Sequence, residues 1–160
     1  MPVLRLTLAT LLVASMNAYS ADNLSAYKHE AHKLLENIEQ KGAGIEQQAK
    51  QLVDLSKPLL ADFKAKYPQC SEYLNTLDAA ADSMADLPLA EIESGYHSDG
   101  LLPALPDANC YHAKDLLVHP ATVQAMAKLG LKSKEDWQQA EAEIEEVIEH
   151  FSQVELAYSE

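Results

Sequence analysis

This chain of 160 residues has few basic residues and few glycines, and several classes of function depend on them. Lys and Arg number 12 against 25 Asp and Glu, so the chain lacks the basic surface that contacts nucleic-acid phosphates. Its 5 glycines form no phosphate-binding pattern, which argues against a nucleotide site of the glycine-rich loop type. The hydrolase sequences Gly-x-Ser-x-Gly and His-Glu-x-x-His are also missing, and we expect a protein that is not an enzyme.

Strand signals are equally scarce, because no stretch after residue 21 alternates β-branched and polar residues over a sustained length. The good helix formers Ala, Leu, Glu, Gln and Lys dominate instead. The sequence predicts an all-α fold: a helical bundle of about four main helices with short extra helices, one long loop that contains Gly and Pro, and one disulfide. Residues 21–160 are predicted to form this single domain.

In the first half of the domain, apolar residues at spacings of three and four predict a helix that begins near Ser25. It is expected to end in the turn that contains Gly42 and Gly44, because two glycines within three residues are costly in a helix. Ser56 and Pro58 are predicted to mark a further boundary, with serine as a cap and proline in a first helical turn.

In the second half, the pattern predicts a helix over Cys70–Asp86, followed by a long loop over 95–109. The next helix is expected from Tyr111 to Gly130, with a kink or a new start at Pro120. Ser133 is predicted to cap the last helix, which carries the clearest apolar stripe of the chain.

Segment 1–20 has the three parts of a secretory signal peptide. Arg5 supplies the one positive charge, an apolar run follows over 6–16, and small residues precede a cleavage site after Ser20. A run of about eleven residues is too short for a membrane-spanning helix, which needs about 20. We therefore expect a periplasmic or secreted protein that does not insert into the membrane after signal removal.

Cys70 and Cys110 are the only cysteines. In an exported protein such a pair is predicted to form a disulfide, which restricts the unfolded chain by about 4 kcal/mol for a loop of this size. The bridge would fasten both ends of the loop over 95–109. A close Cys-x-x-Cys pair does not occur, which argues against a redox role and against covalent haem attachment.

The fastened loop and the helix after it carry the predicted binding site. Tyrosine offers contact area at low entropic cost, and His and Asp offer hydrogen bonds. The predicted binding residues are Tyr96, His97, Asp99, His112, Asp115 and His119.

Three of these residues, His112, Asp115 and His119, are spaced i, i+3 and i+7 and therefore share one helix face. His and carboxylate at this spacing bind transition metals, and His112 and His119 are the expected ligands. A line with the same spacing occurs in the first helix, at His29, His32 and Glu36. Two such lines facing one another would form a metal site, although the Glu-x-x-His signature of di-iron bundles is missing.

Three functions follow from these features. The first is a non-catalytic, exported protein that binds a protein or a small-molecule partner through the loop and the His112 helix. The second is a metal- or haem-binding helical bundle protein, with a transition metal ion as the cofactor. The third is a periplasmic inhibitor or immunity-type protein, in which the acidic surface from Glu141 to Glu149 covers a basic enzyme.

Overall fold

The computed structural model describes residues 8–159, with side chains from residue 22, and these residues form an all-α bundle. A 3-10 turn (Pro68–Cys70) precedes the third helix, and a π-helical turn (Glu93–His97) directly follows the fourth. The six α-helices are α1 (Leu8–Glu39), α2 (Ile45–Lys66), α3 (Ser71–Met84), α4 (Leu89–Ile92), α5 (Ala108–Leu129) and α6 (Lys134–Ser159).

Helix α5 is the centre of the bundle, because α2, α3, α4 and α6 all pack against it. Nearly every side chain between Cys110 and Met126 is consequently buried. A helix that is covered on all sides would ordinarily be apolar throughout. The buried stretch of α5 nevertheless contains Lys114, Asp115, His119 and Thr122, and these polar residues require partners inside the protein.

Several predicted boundaries are confirmed. Helix α1 ends just before the turn around Gly42 and Gly44, and Gly44 adopts a φ of 79° that glycine tolerates without strain. The last helix begins after Ser133, whose Oγ accepts from the backbone N–H of Asp136 while Asp136 accepts from that of Ser133. This reciprocal pair is the predicted capping box.

Two predicted boundaries in the first half are wrong. Helix α1 begins at Leu8 rather than near Ser25, so it includes part of the segment that resembles a signal peptide. Residues 1–7 of that segment lie outside the described part of the chain. The cleavage after Ser20 stays a prediction. Helix α2 continues through Pro58. Buried Ser56 does not cap a new helix but donates within α2 to the Val53 carbonyl at 2.7 Å.

The predicted long loop is shorter than expected, because the chain remains helical through His97. Its other end is shortened as well, since α5 begins at Ala108 rather than near Tyr111. Asp107 caps that start by accepting a hydrogen bond from the Asn109 backbone N–H at 2.8 Å. Helix α5 then runs through Pro120 without a new start.

The predicted disulfide between Cys70 and Cys110 is confirmed, with a sequence separation of 40 residues. It joins the 3-10 turn before α3 to the first turn of α5, and both cysteines are fully buried. Among the helices over residues 8–159, none has both the length and the apolar character that a membrane crossing requires.

Candidate metal centre

The polar residues of α5 meet α6 in a buried group of histidines and carboxylates. We call Asp115, His119, Glu143, Glu146 and His150 the His119 cluster, after its central member. The first two lie on α5 and the last three on α6, so the facing of these two helices brings the cluster together. His119 is 5 % exposed and Asp115 is 1 % exposed at the side chain, which places both inside the protein.

The two ring nitrogens of His119 have different surroundings. Nδ1 lies 2.7 Å from Glu143 Oε2 and donates to it when Glu143 is ionised. Nε2 faces the other way and lies 3.7 Å from Asp115 Oδ1 and 3.6 Å from Glu146 Oε2. Because the hydrogen bond to Glu143 places the proton of a neutral ring on Nδ1, Nε2 presents a lone pair to the remaining carboxylates.

Asp115 is the anomalous member of this cluster. Its Oδ2 is fully buried and accepts no hydrogen bond from any residue that the structure describes. The nearest candidate, His150 Nδ1 at 3.2 Å, is aligned instead with His112 Nδ1 at 2.8 Å. A buried carboxylate oxygen without a partner is costly, so this position favours an additional cation or donor.

The ionisation of the cluster points in the same direction. Burial raises the pKa of Asp115 and that of Glu143 to about 7 each. Burial likewise lowers the pKa of His119 and that of His150 to about 4. Neutral histidines offer lone pairs, and a cation bound between the buried carboxyl groups would favour their ionised form.

The neighbouring residue, Lys114, has its closest partners outside this cluster, although its Nζ also lies 3.8 Å from Asp115 Oδ1. Its fully buried ammonium donates to Asp99 Oδ1 and to the His97 carbonyl, both at 2.9 Å. The Tyr73 hydroxyl donates to the same Asp99 oxygen at 2.8 Å, and the Tyr111 ring lies 4.4 Å from the ammonium. These four side chains, the Lys114 network, fasten the loop after His97 to α5 and α3.

His97 is placed between the two groups. Its Nε2 lies 2.9 Å from Thr122 Oγ1 and 3.7 Å from Glu143 Oε2. The Thr122 hydroxyl donates to the Val118 carbonyl at 3.0 Å, so its oxygen accepts from His97. His97, His119 and Glu143 thereby bring three ligand atoms within 4.8 Å of one another, as do Asp115, His119 and His150.

The structure brings together part of the predicted site. Asp115, His119 and His97 converge, and His112 joins them through His150. Asp99 lies in the Lys114 network instead. Tyr96 is 8 % exposed and belongs to the apolar core, so it does not form the recognition surface that the sequence predicted.

The predicted partner line on α1 does not take part, because His29, His32 and Glu36 are all exposed to solvent. The line that faces α5 consists of Glu143, Glu146 and His150 on α6, which the sequence analysis missed. Their spacing is again i, i+3 and i+7, and this spacing is the sequence pattern from which the line could have been predicted. Glu143 falls within the acidic surface that the sequence predicted from Glu141 to Glu149, whereas its side chain is only 14 % exposed.

The cluster has the composition and dimensions of a transition-metal site. Imidazole and carboxylate are ligands of Zn²⁺ and Cu²⁺, and two ligands of a tetrahedral zinc lie about 3.4 Å apart. The separations around His119 Nε2 and Asp115 lie between 3.2 and 3.7 Å. An ion at this position would have its ligands within short side-chain movements.

Comparison with known proteins adds no family. No family model, no curated protein and no solved structure matches the chain.

Proposed function

We propose that the protein binds a divalent transition-metal ion between α5 and α6, with Asp115, His119 and His150 as its ligands. The observation that carries the proposal is the buried Asp115 Oδ2, which accepts no hydrogen bond from a described residue. His150 Nδ1 lies 3.2 Å from this oxygen, and His119 Nε2 lies 3.7 Å from the other oxygen of the same carboxylate. An ion there would satisfy Asp115 Oδ2 and the lone pair on His119 Nε2 together.

The surroundings of the three ligands support this assignment. Glu143 accepts from His119 Nδ1, and a carboxylate behind a ligating histidine fixes the ring and raises its basicity. Burial raises the pKa of Asp115 and that of Glu143 to about 7, so a cation bound beside either carboxyl group would displace a proton from it near neutral pH. Lys114 Nζ lies 3.8 Å from Asp115 Oδ1 and acts to lower the pKa of that carboxyl, but burial outweighs this attraction, and the carboxylate closest to the ammonium is Asp99.

The exposure of the cluster favours an exchangeable ion. Glu146 is 58 % exposed at the side chain and His150 is 20 % exposed, whereas Asp115 and His119 lie beneath them. His112, in contact with His150, is also partly exposed and is available as a further ligand from the outer side. A site with exposed ligands at its mouth suits metal storage or transfer better than a permanent structural ion.

The location of this activity is part of the proposal. The signal-peptide pattern of segment 1–20 and the buried disulfide are both consistent with an exported protein. A metal-binding protein of the periplasm or the extracellular space accounts for these features together.

The test is metal analysis of the tag-free full chain after equilibrium dialysis against zinc. We expect at least one bound equivalent in the wild type and none in a His112→Ala/His119→Ala double variant. A His29→Ala/His32→Ala variant, which removes exposed histidines, is the matched control and should retain the metal. Zinc at background level in the wild type, or full retention by the His112→Ala/His119→Ala variant, would refute the proposal.

A further inference from the structure

Possible metal ligands lie beside both ring nitrogens of His119. We propose that its imidazole bridges two metal ions, one bound at Nε2 beside Asp115 and His150 and a second bound at Nδ1 beside His97 and Glu143. This inference rests on the proposed function, because the first ion is the one assigned there. It adds a second ion and turns the cluster into a two-metal centre.

The position of the second metal ion is centred on one carboxylate oxygen, Glu143 Oε2. Glu143 Oε2 lies 2.7 Å from His119 Nδ1 and 3.7 Å from His97 Nε2. The rings of His97 and His119 meet edge to face, with their centroids 4.8 Å apart. Because ligands of a tetrahedral ion lie about 3.4 Å apart, these three atoms need only short movements to surround a second ion.

The fold holds His97 in this position from two directions. Lys114 donates to the His97 backbone carbonyl at 2.9 Å, which anchors the π-helical turn against α5. Thr122 accepts from His97 Nε2 but keeps its own hydrogen bond to the Val118 carbonyl. When His97 turns its Nε2 to an ion, the Thr122 hydroxyl therefore retains a partner.

Protons and charges balance for two ions. A neutral His119 with one ion on Nε2 carries its single N–H proton on Nδ1, where Glu143 accepts it. The second ion displaces that proton to solvent and leaves an imidazolate, while His97 binds through Nε2 with its proton on Nδ1. Two divalent cations then face four negative charges, from Asp115, Glu143, Glu146 and the imidazolate.

The ligands also restrict the class of metal. Three imidazoles and two carboxylates suit Zn²⁺ and Cu²⁺, whereas Mg²⁺ and Ca²⁺ prefer sites formed by oxygen alone. Copper gives the clearer test of a bridge, because two Cu²⁺ ions on one imidazolate couple their unpaired electrons. Zinc gives the clearer count.

The experiment uses the tag-free full chain with His29→Ala/His32→Ala, so that exposed histidines of α1 do not contribute to the count. Zinc binding is measured by calorimetry and metal analysis, and the spectrum of the copper-loaded protein by electron paramagnetic resonance. We expect two zinc equivalents, and a resonance intensity at two Cu²⁺ equivalents well below that of two isolated ions. His97→Gln, which keeps a donor for Thr122, should bind one equivalent with the full intensity of one isolated Cu²⁺.

The outcomes separate the two proposals. One zinc equivalent in the parent protein overturns the bridge and leaves the proposed function standing. Two equivalents in His97→Gln, or two Cu²⁺ ions with full, uncoupled intensity, likewise overturn it. No bound metal in the parent protein removes the proposed function and the bridge together.

Discussion

Two adjacent residues of α5, Lys114 and Asp115, are equally buried but have opposite surroundings. The Lys114 ammonium has a carboxylate, a backbone carbonyl and an aromatic ring around it. Asp115 has an oxygen without a hydrogen bond from the described residues and lies beside neutral histidines. The protein's own groups surround the first charge, whereas the second, although 3.8 Å from the Lys114 ammonium, keeps an oxygen without a donor, which we propose a metal ion satisfies. Burial of a charge is therefore informative only together with its partners.

The largest expected effect concerns Lys114, the residue of this comparison whose charge is paired. Asp99→Asn removes the counter-ion of Lys114, and asparagine tolerates the φ of 60° found at Asp99. We expect the free energy of unfolding to fall by about 3 kcal/mol, because the buried ammonium loses its closest carboxylate. Urea unfolding measures it, and the same loss should appear with and without zinc. An effect below about 0.5 kcal/mol would show that Asp99 is not the main partner.

The second effect concerns metal binding by the His119 cluster, to which Asp115 belongs. His119→Ala removes the central ligand, and we expect zinc affinity to fall more than roughly 100-fold, beyond the loss that is typical for an outer hydrogen-bond partner. Competition with a chromophoric chelator measures the affinity. His29→Ala/His32→Ala is the control, since these side chains are exposed. Equal losses in the two variants would place the metal outside the His119 cluster.

These two histidine lines show what sequence spacing can and cannot predict. His29–His32–Glu36 and His112–Asp115–His119 have the same spacing, but only the second line has buried members, Asp115 and His119. The difference arises from the central position of α5, which depends on contacts between helices that are distant in sequence. The all-α class, the disulfide and the Ser133 cap could be predicted because each depends on local pattern or on cysteine count.

The remaining residues of the site could not be predicted from the local sequence pattern. Glu143 resembles its neighbours Glu141 and Glu145 in sequence, and only the packing of α6 on α5 buries it. Continuation of α2 through Pro58 is likewise decided by tertiary packing, since Leu59 and Leu60 beside it are in the core. Tyr96 was misplaced because the helical turn that buries it extends past the predicted loop boundary.

A smaller effect is expected from the carboxylate behind His119. Glu143→Gln replaces the acceptor for His119 Nδ1 by a weaker one, and we expect the first zinc equivalent to bind roughly 10- to 100-fold less tightly. The chelator competition described for His119→Ala measures this change. Glu145→Gln, on the exposed side of α6, should leave the affinity unchanged. An unchanged affinity in Glu143→Gln would show that this hydrogen bond does not support a ligand.

The smallest effect is a pH dependence of the metal-free protein. Burial raises the pKa of Asp115 and that of Glu143 from 3.8 and 4.5 to about 7, so their stabilising contribution is full below the unfolded values and is lost as pH rises through 7. Burial lowers the pKa of His119 and that of His150 from 6.5 to about 4, so their contribution is present above 6.5 and is lost as pH falls through 4.

The two effects oppose one another between these limits, and only the carboxylates continue to titrate above pH 6.5. We therefore expect the contribution of the cluster to the free energy of unfolding to decrease from pH 6.5 to about pH 8. Asp115→Asn should show a shallower decrease in urea midpoint than the wild type over this interval. Parallel slopes in the two proteins would contradict the raised pKa of Asp115.

The most direct test of the central claim is the position of the ion itself. Crystals of the zinc-loaded, tag-free protein, measured on both sides of the zinc absorption edge, would locate it by anomalous scattering. We predict a peak within bonding distance of His119 Nε2, with Asp115 and His150 beside it. A zinc-loaded crystal with peaks only at exposed residues such as His29 and His32, and none between α5 and α6, would contradict the claim.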